Sequence, residues 1–185
     1  MRATVTTSYD YRIHYKDSGA IWKLSTFFLD HVPFHSPDLV FFCIGTDRST
    51  GDALGPLTGS RLTEFQAFPF PVFGTLESPL HALNLEQRNK DILNENPNAY
   101  IVAIDACLGK ESSIGQLIVH DGSMLPGLAV GKDLPAVGHI SIKGIVNIGG
   151  FMEFAVLQST RLHLPFEMSR TIARALQLAY NRSKL

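Results

Sequence analysis

Apolar residues along this chain of 185 come in two patterns: short unbroken runs, and longer stretches in which they recur every three or four positions. The run DLVFFCIG, residues 38–45, is bounded by Pro37 and Gly45 and suits a strand buried on both faces. AYIVAIDAC, residues 99–107, repeats that pattern, and FPVFGTL, GQLIVHDGS and HISIKGIVNIG are further strand-like runs. Helical spacing marks SGAIWKLSTFFLD, through Ile21, Trp22, Leu24, Phe27 and Phe28, and ALGPLTGSRLTEFQ, through Leu54, Leu57, Leu62 and Phe65. SPLHALNLEQRNKDILNENP reads as an amphipathic helix with Ser78 as cap, Pro79 in the first turn and Pro97 beyond the end. Two more helices are expected after Gly150, the second opening near Pro165. Strands alternating with helices predict an α/β fold, a three-layer α/β/α sandwich on a largely parallel or mixed sheet of about five strands. Residues 1–36 read as an arm and short helix packed on one α/β domain spanning 37–185.

Composition narrows the class of protein more than the chemistry. The hydrophobic content of 45% and the length fit one globular domain with a full core. A net charge of -1, from 16 basic and 17 acidic residues, offers nothing to attract nucleic acid or an anionic membrane. No run approaches the roughly 18 apolar residues of a membrane span, and the N-terminus lacks the apolar centre of a signal peptide, so a cytoplasmic protein is expected. Cys43 and Cys107 each close an apolar run, where buried free thiols are expected rather than a disulfide.

The stretch IGTDRSTGDALGP, residues 44–56, follows the first apolar run and precedes a helix. A turn in that position lies at the carboxyl end of the sheet, where open α/β folds place their ligand crevices. Its glycines, Gly45, Gly51 and Gly55, match neither a dinucleotide nor a P-loop spacing, and Asp47 and Asp52 would repel a phosphate. Asp52 has the position of a helix cap. A second carboxylate, Asp105, ends another apolar run and is followed by Ala106, Cys107 and Leu108 rather than by a polar loop. Should the two strands be neighbours, both acids face one crevice. Three readings of Asp52 and Asp105 then stay open: structural caps, a carboxyl pair dividing acid and base roles, or oxygen ligands for a divalent metal.

The segments GTDRSTGDALGP and IVAIDA together resemble the paired signature of the spore germination protease, an atypical aspartic endopeptidase. That resemblance implies Asp52 and Asp105 as the catalytic acids and a protein or peptide substrate. The fold it implies is shared with the hydrogenase-maturation endopeptidases, a phosphorylase/hydrolase-like architecture. DALGP, AIDACLG and GKDLPAVGHISIKGIVNIGGFMEF also resemble the short sporulation proteins of the YyaC type, over roughly residues 38–180. The implied function is a sporulation-associated peptidase in the sporulating cell or spore interior, the alternative being a catalytically inactive relative that binds a peptide or protein partner in the same crevice. No cofactor is expected, with a divalent metal at Asp52 and Asp105 as the open alternative. The hydrogenase-maturation side of the likeness adds His139, just before HISIKG, as a site histidine. Substrate-binding candidates are thus Asp47, Arg48 and His139.

Remaining features point elsewhere. Seven histidines form no H-E-x-x-H, and no C-x-x-C occurs, so no zinc site is expected. Thr46, Ser49 and Thr50 lack a nucleophile elbow and read as satisfying loop amides. The loop LPGLAVGKDLPAVG is long enough to form a wall or lid, with Lys132 and Asp133 read as solvated.

Overall fold

Every residue of the strand β2 (Leu39–Cys43) is buried, as an apolar run covered on both faces must be. In the computed structural model, which describes residues 10–126 and 136–185, β2 lies inside a six-stranded sheet. The other strands are β1 (Asp10–His14), β3 (Val72–Phe73), β4 (Tyr100–Gly109), β5 (Gln116–Asp121) and β6 (Ile140–Ile148). Their spatial order is β1-β5-β6-β4-β2-β3. β3, β2, β4 and β6 run parallel, while β5 is antiparallel to both β6 and β1. The sheet is therefore mixed, and the fold is α/β.

Alternation along the strands divides the core into two layers. Leu39, Phe41 and Cys43 of β2, Val102 and Ile104 of β4, and Ile140, Ile142 and Val146 of β6 point toward one face. That face is covered by α1 (Ala20–His31), α2 (Leu54–Glu64) and α5 (His163–Ser183), which bring Leu24, Phe28, Leu62, Ile172 and Leu176. Val40, Phe42, Ile101 and Ala103 point the other way, onto Leu85 and Ile92 of α3 (Leu85–Glu95). Fully buried side chains such as Phe28, Phe41 and Phe42 each contribute about 1.5–3 kcal/mol on removal from water. A short helix, α4 (Glu153–Ser159), stands beside the carboxyl ends of the parallel strands.

Two differences from the pattern-based expectation bear on the site. The sheet has a sixth strand because residues 10–14, expected to be irregular, form β1 against β5, with Asp10 opposite His120 and His14 opposite Gln116. α3 begins at Leu85 rather than near Ser78, because Leu80 is drawn into the sheet by a parallel bridge to Ile44 and is buried there. The Asn84 side chain closes the resulting loop, accepting from the His81 N–H at 2.8 Å and donating to the Pro79 carbonyl at 3.0 Å. His81, Ala82 and Leu83 are thereby held at the rim of the sheet instead of on a helix. Pro165 lies in the first turn of α5 as its fixed φ favours. Lys132, Asp133 and the centre of the expected lid loop lie outside the described residues, as do residues 1–9 of the N-terminal arm.

Candidate active site at the carboxyl ends of the parallel strands

β2 sends the chain outward to the edge strand β3, whereas β4 begins the other half of the sheet, so the strand order reverses between β2 and β4. A crevice forms at such a reversal because successive connections leave toward opposite faces. Here it is a cavity of about 700 Å³, within the range of small-ligand and peptide-subsite cavities. Asp52 and Asp105 both line it.

The loop that delivers Asp52 depends on glycine for close approach. Gly45 leaves β2 with φ +136°, and a Cβ there would stand 2.1 Å from the Asp52 carbonyl oxygen. The same tight turn lets the Thr46 N–H donate to that carbonyl at 3.1 Å. Gly55 lets the start of α2 sit directly on Ile44, where a Cβ would meet the Ile44 carbonyl oxygen at 2.0 Å. The Thr50 hydroxyl faces the carbonyl of Gln158, at 3.2 Å, and that of Thr160, tying the loop to α4. Asp52 falls inside the 3-10 turn Gly51–Ala53, and its side chain makes no capping hydrogen bond to that turn or to α2. The cap reading therefore loses its physical basis, and the carboxyl is turned to the cavity.

Asp105 continues the Ile101–Ala103 side of β4, one pleat past the cover of α3, and is only 8% exposed. Its Oδ1 accepts the Ala106 N–H at 2.8 Å. Immediately beyond, β4 and β6 slip register between Cys107 and Leu108, an irregularity of the kind that re-aims side chains next to functional sites. Burial pushes the Asp52 carboxyl up to about 7, against a smaller opposing pull from the Thr46 backbone. Burial also raises Asp105 well above the carboxylate range, and the charge of Asp52 raises it further; the Ala106 N–H and Lys143 act the other way. Near neutral pH the pair therefore retains a proton, with Asp105 the stronger holder.

Further residues complete the walls. Lys143, opposite Asp105 in the β4–β6 register, projects into the same cavity from the adjacent strand. Glu153 accepts the Gly150 N–H at 3.0 Å and stands at the α4 side. Apolar walls come from Leu108, Leu125, Phe154, Leu157 and Leu83, the last 80% exposed at the rim. Ser49 also lines the cavity, and its buried Oγ has no hydrogen-bond partner among the described residues.

Of the substrate-binding candidates, only Arg48 reaches the cavity, at its exposed edge. Asp47 is exposed and does not line it, and neither Asp47 nor Arg48 joins an ion pair among the described residues. His139 is not brought there. It precedes the amino end of β6, level with Ile101 rather than Asp105; its Nδ1 accepts the Ile101 N–H at 3.0 Å, and its ring stacks on Tyr100 at 4.7 Å. Those partners give it a structural role at the far end of the strands. Lys143 escaped the sequence reading although it is the single charged residue in HISIKGIVNIG, a signal that becomes meaningful once its register with Asp105 is known. Among the described residues no three His, Cys, Asp or Glu side chains gather as a metal-binding group.

A family model described as a protein of unknown function, DUF1256, matches residues 12–175. The chain belongs to the DUF1256 family. This DUF1256 chain is 49% identical over 140 residues to the uncharacterized protein YyaC of Bacillus subtilis (strain 168), covering 76% of the chain and 68% of YyaC. Its fold is similar to that of the [NiFe] hydrogenase maturation protease HycI from Thermococcus kodakarensis KOD1, with a TM-score of 0.50 and 18% identity over 86% of this chain and 99% of HycI. The DUF1256 chain thus has a protease-like α/β fold. Among the described residues no helix is long and apolar enough to cross a membrane.

Proposed function

We propose that this protein is a sporulation-associated endopeptidase in which Asp52 and Asp105 activate water against a peptide carbonyl of a protein substrate. The observation that carries the reading is the pairing of a half-buried and a buried carboxyl in one cavity, the first pushed up to about 7 and the second raised by burial and by its neighbour's charge. Such a pair holds one proton at neutral pH, which is the state that acid–base hydrolysis requires. Asp52 in its ionised form accepts a proton from water as the water oxygen bonds to the carbonyl carbon. Asp105 gives its proton to the carbonyl oxygen. Collapse of the tetrahedral intermediate breaks the C–N bond, and the leaving nitrogen takes the proton from Asp52, while the gem-diol returns one to Asp105. The reaction consumes one water and asks for no cofactor.

The sporulation setting rests on the resemblance of D-A-L-G-P and A-I-D-A to the germination protease signature, and the compartment proposed with it is the cytoplasm of the sporulating cell or the spore interior. The protease-like fold supports the class of reaction. A defined mixture of unstructured synthetic peptides, analysed by mass spectrometry after incubation, tests the reading. Cleavage by the wild type, lost in both Asp52→Asn and Asp105→Asn, is the expected result. Cleavage that survives either substitution refutes the carboxyl mechanism, and absence of any cleavage leaves the crevice a binding site for a partner peptide.

A further inference from the structure

A carboxyl pair supplies an acid and a base, but a tetrahedral intermediate also needs a positive group where its oxygen gathers charge. The charged side chains that line the cavity are Arg48, Asp52, Asp105, Lys143 and Glu153, with His81 at the rim. Arg48 is exposed on the loop, Glu153 is engaged with the backbone of Gly150, and His81 uses Nδ1 to accept the Leu83 N–H at 3.2 Å. Lys143 differs from all of these. It is half-buried, rises from the strand next to Asp105 at the same register, and joins neither a hydrogen bond nor an ion pair among the described residues. Its charge acts on Asp105 but no direct contact among the described residues holds it, which leaves its N–H groups to whatever enters the cavity.

We propose that Lys143 is a third catalytic residue, whose ammonium binds the carbonyl oxygen of the scissile peptide and stabilises it as negative charge develops. This rests on the peptidase reading and adds the electrophile to it. The electron pair of the breaking C=O bond moves onto an oxygen held by a Lys143 N–H, and the proton that oxygen receives still comes from Asp105, so Lys143 keeps its three protons throughout. Placing a fixed cation on the sheet gives the carboxyl pair the charge compensation for which carboxylates otherwise recruit a divalent metal. It also explains why β6, a strand that crosses the core, carries one charged residue. A lysine held two strands from the loop of Asp52 and one from Asp105 faces both from a rigid element, the arrangement that lets a hydrogen-bond donor act without reorganising.

The test compares wild type, Lys143→Met, Lys143→Gln and Lys143→Arg on whichever peptide of the synthetic mixture the wild type cleaves. Loss of an oxyanion donor lowers kcat by about 10²–10³-fold with little change in KM. Lys143→Met and Lys143→Gln should both show that loss, and Lys143→Arg should recover part of it. The alkaline limb of the pH–rate profile supplies a readout that a purely structural lysine would not move. Removing the ammonium makes Asp105 harder to ionise, so the limb should shift to higher pH in the Met and Gln variants and stay near its wild-type position in Arg. Urea denaturation of each variant checks that the fold survives, and two replacements of different polarity guard against one that does not. Wild-type kcat and an unmoved limb in a folded Met or Gln variant overturn the role of Lys143 and leave the carboxyl mechanism standing. A wild type that cleaves none of the peptides overturns the peptidase reading and this role together.

Discussion

Replacing Asp52 by Asn should make the protein more stable at alkaline pH while removing its proposed activity. The unfolded carboxyl titrates near 3.8 and the folded one near 7. Between those values the unfolded chain releases a proton that the folded chain still holds. Stability is therefore full below pH 4, falls as pH rises toward 7, and is level above it. A shift of about three pH units corresponds to about 4 kcal/mol as an upper bound. Asp52 keeps part of its surface open to the cavity, and screening there reduces the expected loss to roughly 2 kcal/mol. Asn at position 52 does not titrate, and it also removes the negative charge that raises Asp105, which acts in the same direction. The measurement is urea denaturation of wild type and Asp52→Asn at pH 5 and pH 8. Any fixed cost of the amide appears at both pH values and cancels in the comparison. Only about two of those three pH units lie between pH 5 and 7, so relative to wild type the variant should gain roughly 1.3 kcal/mol between pH 5 and pH 8, or about 3–5 °C in Tm for a chain of this size. An equal difference at the two pH values would falsify the burial argument for Asp52, and with it the claim that the pair holds a proton at neutral pH.

Other substitutions probe the scaffold around the pair. Gly55→Ala forces a methyl against the backbone of Ile44, with 2.0 Å to its oxygen and 2.6 Å to its nitrogen, and neither atom belongs to a flexible side chain. A destabilisation of about 3 kcal/mol or more is expected in urea denaturation; a cost below about 1 kcal/mol, within the range of a tolerated core change, would mean that α2 does not start this close to β2. Burial and the charge of Asp105 push the Cys107 thiol up to about 11. Its alkylation by iodoacetamide at pH 8 should run on the order of 100-fold slower than that of a free cysteine, and faster in Asp105→Asn; rapid labelling in the wild type would contradict the burial of this wall.

The strands at the centre of the sheet were legible because burial on both faces leaves unbroken apolar runs, as in DLVFFC and YIVAI. Asp105 was legible for the complementary reason, since it ends such a run where a carboxylate has little local purpose, whereas Asp52 was marked by its strand-to-helix loop and by the resemblance of D-A-L-G-P. β1 was not, because a half-exposed edge strand of five residues alternates polar and apolar positions and finds its partner far along the chain. The false start of α3 has a similar origin: Leu80 and Leu83 satisfy helical spacing locally, but Leu80 is taken by Ile44 and Leu83 is left at the rim. His139 and Lys143 exchanged importance through register alone. Only four positions separate His139, just before β6, from Lys143 at the level of Asp105, and no one-dimensional pattern fixes which end of a neighbouring strand will face the crevice.

β1 also sets an order of events during synthesis. Asp10 and His120 are joined by a 2.8 Å hydrogen bond although they lie 110 positions apart in sequence. β1, synthesised well before β5, is therefore among the last of the described strands to find its neighbour, since closing so long a loop costs entropy that only an assembled β5–β6 surface repays. Until then β5 presents an open edge to which the β1 of another nascent chain can also pair. Crowded translation of this protein thus carries a built-in route to strand-exchanged dimers, and the two carboxyls, which come from segments on the other side of β6, would be assembled correctly in either product.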